Sequence, residues 1–159
     1  MTKSSSFEFP KNVADERELL LTWLGYLRGA VLRNLEGLDD AAARWRPDER
    51  LLPLAGIANH LVGVERRWID GGMLGGPIYR GEEEFFPGGD LPIESIVTAY
   101  RDRAVATDHI VRSLPLDAPC GRGEGTDLRW VLLHLVQETA RHAGHADAVR
   151  ELLDGSTGE

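Results

Sequence analysis

Cysteine is almost missing from this sequence: its 159 residues contain one, Cys120. A lone cysteine excludes an intrachain disulfide and fits a reducing compartment, so the cytoplasm is the expected location. No apolar run approaches the ~18 residues needed to span a bilayer, which leaves no candidate membrane helix. Residues 1–10 lack the charged-then-apolar order of an export signal. An excess of positive charge is lacking too, since 18 Lys and Arg stand against 26 Asp and Glu for a formal net charge of −8. That balance argues against nonspecific nucleic-acid binding and against docking on an anionic membrane, and leaves small molecules or proteins as partners. Strand signals find little support, and there is no internal repeat, low-complexity tract or second domain.

What is present is ordinary for a globular chain, with 42% hydrophobic and 28% charged residues. The length fits one domain over residues 1–159, with an ordered core over residues 13–154, large enough to need no disulfide or structural metal. Asp15 followed by Glu18 resembles a capping box and predicts a helix start near Asp15. Leu20, Trp23, Leu24, Leu27, Val31 and Leu35 then recur at spacings of three and four, which points to an amphipathic helix ending near Gly37. A short helix is expected over residues 39–45, closed by Pro47. A second long helix is predicted over residues 53–70, with Leu54, Ile57, His60, Leu61, Val64 and Trp68 on one stripe. Residues 71–89, rich in Gly and Pro and carrying an acidic run, read as a long loop that either overhangs a site or only connects. Asp90 is the expected cap of a third helix with Pro92 in its first turn and Pro115 beyond its end. Thr126 or Asp127 caps a fourth, running to Asp154 before Gly155, and the tail beyond is expected to fray. Four long amphipathic segments make an all-α four-helix bundle the predicted fold.

The fourth helix carries the most informative stretch. At about 100° per residue, Glu138, His142 and His145 fall within an arc of roughly 60°, and His134 extends the stripe one turn back. Val131, Leu135, Val149 and Leu152 share that arc, so the titratable groups point inward rather than to water. An ionised Glu buried without a partner is costly, and a divalent cation would compensate it. Glu138 and His142 offer one metal an i, i+4 pair, and bundles complete such sites from a facing helix, here with His60. Two histidines and one carboxylate leave positions for water or substrate, as in catalytic zinc and non-haem iron sites. His145 is read as a fourth ligand, a proton carrier or a helix-stabilising group, and His134 as a second-layer group that orients Glu138. A metal-free buried hydrogen-bond network is the plainer alternative. His109 lacks a titratable cluster. Glu65, Arg66 and Arg67 read as a solvated face, the four tryptophans as core packing with Trp68 a candidate pocket wall, and Cys120 as incidental rather than nucleophilic.

Three segments then carry a resemblance: the helix from Glu18 to Leu38, the run Gly56-Ile57-Ala58-Asn59-His60-Leu61 continuing to Trp68, and the run Leu133-His134-Leu135 continuing through Glu138, His142 and His145 to Asp147. Together they resemble the DinB-like superfamily, the YfiT-like metalloenzymes, and in particular its actinobacterial branch. Sixteen Arg against two Lys fit the GC-rich genome that such a branch implies. The resemblance implies a four-helix bundle holding a divalent metal through His60, Glu138 and His142, with zinc first and nickel or iron as alternatives. Many relatives carry His where this chain has Glu138, and Gln where it has His145; the latter departure leaves open whether His145 is a ligand. The His, Glu, His set is similar to that of the mycothiol-dependent maleylpyruvate isomerases. The resemblance thus implies a thiol-dependent S-transferase or isomerase in which the metal activates mycothiol or a related thiol, His145 carries a proton, and the assembly is a homodimer. A metal-dependent hydrolase and a noncatalytic metal-binding stress protein are the competing expectations.

Overall fold

The computed structural model describes residues 8–158. Its architecture is the expected all-α bundle, with no strand among the described residues. Helices α1 (Glu16–Arg33), α3 (Leu54–Glu65), α4 (Ile93–Ser113) and α5 (Leu128–Asp154) form the bundle, and the short α2 (Asp40–Arg44) lies in the first connection. Helix α1 packs on α5, and α3 packs on both α4 and α5, so α3 and α5 face each other. None of these helices is long and apolar enough to cross a membrane. The expectation about an export signal falls largely on residues 1–7, outside the described residues.

Local chemistry sets most helix ends. Asp15 accepts a hydrogen bond from the Glu18 backbone N–H at 2.9 Å. The box is half made, because the Glu18 carboxylate turns to Arg112 at 2.9 Å instead. Asp127 caps α5 by accepting from Trp130 N at 2.8 Å, and Gly155 ends it at φ +81°, a left-handed conformation that glycine adopts without strain. Helix α4 departs from expectation. Its first N–H, on Ile93, donates to Asp40 of α2 at 2.7 Å, so the cap comes from across the fold rather than from Asp90. The tail also differs. Gly158 is buried, donates through its N–H to Asp147 at 2.8 Å and accepts from Arg33, so the chain stays docked on α1 as far as Gly158.

After Glu65 the second long helix does not continue as α. Residues Arg66–Met73 form a π segment, closed by bonds such as Leu74 N to Ile69 O at 3.1 Å. Arg67 lies seven residues after His60 and four after Gly63, on the same face of the helix, and is 7% exposed. Glu65, at 1% exposure, lies four and eight residues after Leu61 and Ile57, on the core face. The predicted solvated face is therefore correct only for Arg66. Glu65 pairs with Arg28 of α1 through two bonds, at 2.7 and 2.8 Å, and Arg28 also reaches Asp108 at 2.9 Å. Trp45 and Trp130 are exposed rather than core residues, and Leu152 faces solvent at 60%.

Candidate metal-binding cleft

The α3 and α5 helices bring together three of the predicted side chains. One ligand-type atom from each of His60, Glu138 and His142 lies within 4.8 Å of the others. His60 comes from the buried stripe of α3, while Glu138 and His142 project from successive turns of α5, with His142 Nε2 3.5 Å from a Glu138 oxygen. The His60 and His142 rings meet edge to face at 4.8 Å between centroids. Burial lowers the proton affinity of both rings; His142, further disfavoured by the charge of a protonated His60, is pushed down to about 4. Both imidazoles are therefore neutral near pH 7, with a lone pair to offer. His142 Nδ1 is buried and makes no hydrogen bond with any described residue.

The loop after the π segment reaches into this site. Its short turn of 3₁₀ helix, Glu82–Glu84, presents Glu84, whose Oε1 lies 2.9 Å from His60 Nδ1. Arg67 holds the same carboxylate from the other side at 2.6 and 3.0 Å. A carboxylate paired with Arg67 accepts hydrogen bonds, so His60 carries its proton on Nδ1 and keeps its lone pair on Nε2. Carboxylate–histidine pairing of this kind orients the ring and makes its free nitrogen a better ligand. Phe85 stacks on His60 at 4.3 Å.

Helix α3 is shaped to receive that loop. A Cβ on Gly56 would stand 1.9 Å from the Phe85 carbonyl oxygen, and one on Gly63 would stand 2.3 Å from Glu84 Oε1. Asn59, between them, donates to the Glu84 carbonyl at 2.9 Å. Two glycines seven residues apart on one helical face thus open a seat for residues 84–85. Sequence reasoning missed Glu84, Arg67 and Phe85. The available signals were the acidic run inside the loop and the spacing of Gly56 and Gly63.

The site opens on a cleft of about 590 Å³, walled by Arg50, Leu51 and Leu52 from the segment before α3, by Arg80 and Phe85 from the loop, and by α5. His145 lies in the cleft wall but outside the three-residue cluster, its ring 6.4 Å from that of His142. Its Nε2 is buried without a hydrogen-bond partner, and burial, then Arg141, lowers its proton affinity. His134 does not hydrogen-bond to Glu138. It stacks on Trp130 at 5.3 Å and meets Trp68 edge-on at 4.7 Å, in an aromatic group capped by Arg122, so its neighbours are rings. His109 is exposed on α4 and Cys120 is buried, and neither lines the cleft.

A family model described as mycothiol-S-transferase matches residues 19–155, which takes in every residue of the cleft. No curated protein matches the chain.

Proposed function

We propose, for a chain that belongs to the mycothiol-S-transferase family, that it joins the sulfur of mycothiol to an electrophilic carbon, using a divalent cation held by His60, Glu138 and His142. The observation that supports this reading is the convergence of three ligand-type atoms within 4.8 Å at the floor of an open cleft. The residues fit such an ion. Two neutral imidazoles and a carboxylate are a donor set that suits zinc first, and the buried, unpartnered His142 Nδ1 marks a site whose polar groups the protein alone does not satisfy. When bound, the cation supplies positive charge that favours thiolate over thiol near neutral pH.

The chain's own groups do the rest. Glu84, fixed by Arg67, keeps His60 in one tautomer and one orientation. His145 is neutral near pH 7 because burial and Arg141 oppose its protonation, so a ring nitrogen is free to take the proton lost by the thiol and pass it to water. Leu51, Leu52 and Phe85 give the open cleft an apolar wall. In the balanced reaction the S–H bond breaks, a C–S bond forms, and the leaving group departs with its electron pair.

Two measurements test this reading. Protein purified without an affinity tag should hold close to one divalent metal per chain, and cobalt-substituted protein should develop a sulfur-to-cobalt charge-transfer band when mycothiol is added. A metal-free protein that gains no stability on adding zinc would sink the metal site. An unchanged cobalt spectrum, with thiol-independent ester hydrolysis by the loaded protein, would replace the transferase by a hydrolase.

A further inference from the structure

The charge of the cleft is opposite to that of the molecule around it. The sequence holds 26 acidic against 18 basic side chains, yet Arg50, Arg80 and Arg141 line this cleft against one carboxylate, Glu138. Outside it, Arg112 holds Glu18, Arg129 holds Glu16 and Arg150 holds Asp154, while the exposed Arg66 and Arg101 stand apart from one another and from this cleft. The guanidinium groups of Arg50, Arg80 and Arg141 have no ion pair, hydrogen bond or ring contact with any described residue. All three are exposed, and they come from three different segments: the stretch before α3, the loop and α5. The same cleft carries an apolar surface made by Leu51, Leu52 and Phe85. Mycothiol, an acetylated cysteinyl glycoside without a carboxylate, gives these cations no counter-charge.

We infer that the electrophile accepted by this cleft is a small organic anion: an apolar body that lies on Leu51, Leu52 and Phe85, bearing an acidic group that Arg50, Arg80 and Arg141 hold. The inference rests on the thiol-transfer reading for the reaction, and on the cleft alone for the anion. Planar guanidinium forks suit carboxylates, sulfonates and phosphates. Unpaired arginines around a partly enclosed cleft also raise the local concentration of anions, an effect that added salt weakens.

The test pairs a neutral electrophile, chlorodinitrobenzene, with its ring-sulfonated analogue, a poor metal ligand whose preference reports the arginines. With either probe the mycothiol S–H proton is released, the C–S bond forms at the chlorinated carbon, and chloride leaves with the C–Cl electron pair. The sulfonate should show a KM lower by roughly tenfold or more, the scale of one or two charge-assisted contacts. That ratio should shrink with added sodium chloride, and fall toward one in the combined Arg50→Gln, Arg80→Gln, Arg141→Gln variant. A readout without turnover uses nitrobenzenesulfonate, which has no leaving group, and calorimetry should show it binding the wild type and not the variant. Equal KM values for the two electrophiles, or a preference that survives in the variant, would overturn the inference and leave the transferase standing. If neither electrophile is conjugated while nitrobenzenesulfonate binds through the arginines, the transferase reading fails and the anion site stands.

Discussion

Helix α3 contributes to two buried polar clusters, and the two differ in how far their groups satisfy one another. On the core side, Glu65 and Arg28 spend both carboxylate oxygens and two guanidinium nitrogens on each other, and Asp108 takes a third nitrogen. On the loop side, His60 is held by Glu84 while Glu138 and His142 converge on it, and His142 Nδ1 is buried with no partner among the described residues. A closed ion pair has nothing left to bind and acts on stability. An open cluster costs the fold its desolvation and is retained for what it can hold.

Breaking the closed cluster should have the largest effect. Glu65→Ala leaves the Arg28 guanidinium, 5% exposed, with only the half-buried Asp108, and should destabilise the protein by about 3–5 kcal/mol. For a chain of this size that lowers Tm by roughly 10 °C or more, measurable by thermal and urea unfolding. A loss under about 1 kcal/mol would show that water or Asp108 replaces Glu65, and would erase the distinction. Glu138→Ala should do the reverse. Its carboxylate is a quarter exposed and pairs only with His142, so the metal-free variant should unfold within about 1 kcal/mol of the wild type. Tight zinc binding, read by competition with a chromophoric chelator, should be lost. Retained affinity in this variant would remove Glu138 from the proposed ligand set.

How much of this was legible in the sequence depends on how local the cause is. The start of α1 and both ends of α5 were readable because Asp15, Asp127 and Gly155 act on backbone groups within a few residues. Bringing His60 near Glu138 and His142 required only that α3 face α5, which the shared apolar stripes already implied. Glu84 was not readable in the same way. Its partners His60 and Arg67 lie 24 and 17 residues away, and its position depends on a loop seated in a notch of α3. Arg67 lies seven residues after His60, on its face, but its burial depends on Glu84, which arrives from a loop 17 residues on. Glu65 follows the core-face register of Ile57 and Leu61, and its burial as a charge depends on Arg28, 37 residues away on α1. The docking of Gly158 depends on Arg33 and Asp147, which no pattern within the tail reports.

Two smaller effects sharpen the comparison at the loop side. Glu84→Gln removes the charge behind His60 while keeping the shape, and should weaken zinc binding by about 10–100-fold. An unchanged affinity would mean that the Glu84 contact is incidental to the site. Gly63→Ala probes the same contact more gently. The added Cβ would stand 2.3 Å from Glu84 Oε1, a side-chain atom that can shift at the cost of its His60 and Arg67 contacts, whereas on Gly56 it would meet the Phe85 backbone. The carboxylate can therefore yield, and the expected loss of zinc affinity is only about severalfold, below that of Glu84→Gln. Alanine also favours the helix over glycine by about 0.8–1.0 kcal/mol, which offsets the crowding. The metal-free variant should thus unfold at the wild-type temperature or slightly above it while zinc binds more weakly. If stability and affinity fell together, the loop would be acting on the fold, and Glu84 would belong with Glu65 rather than with the open site.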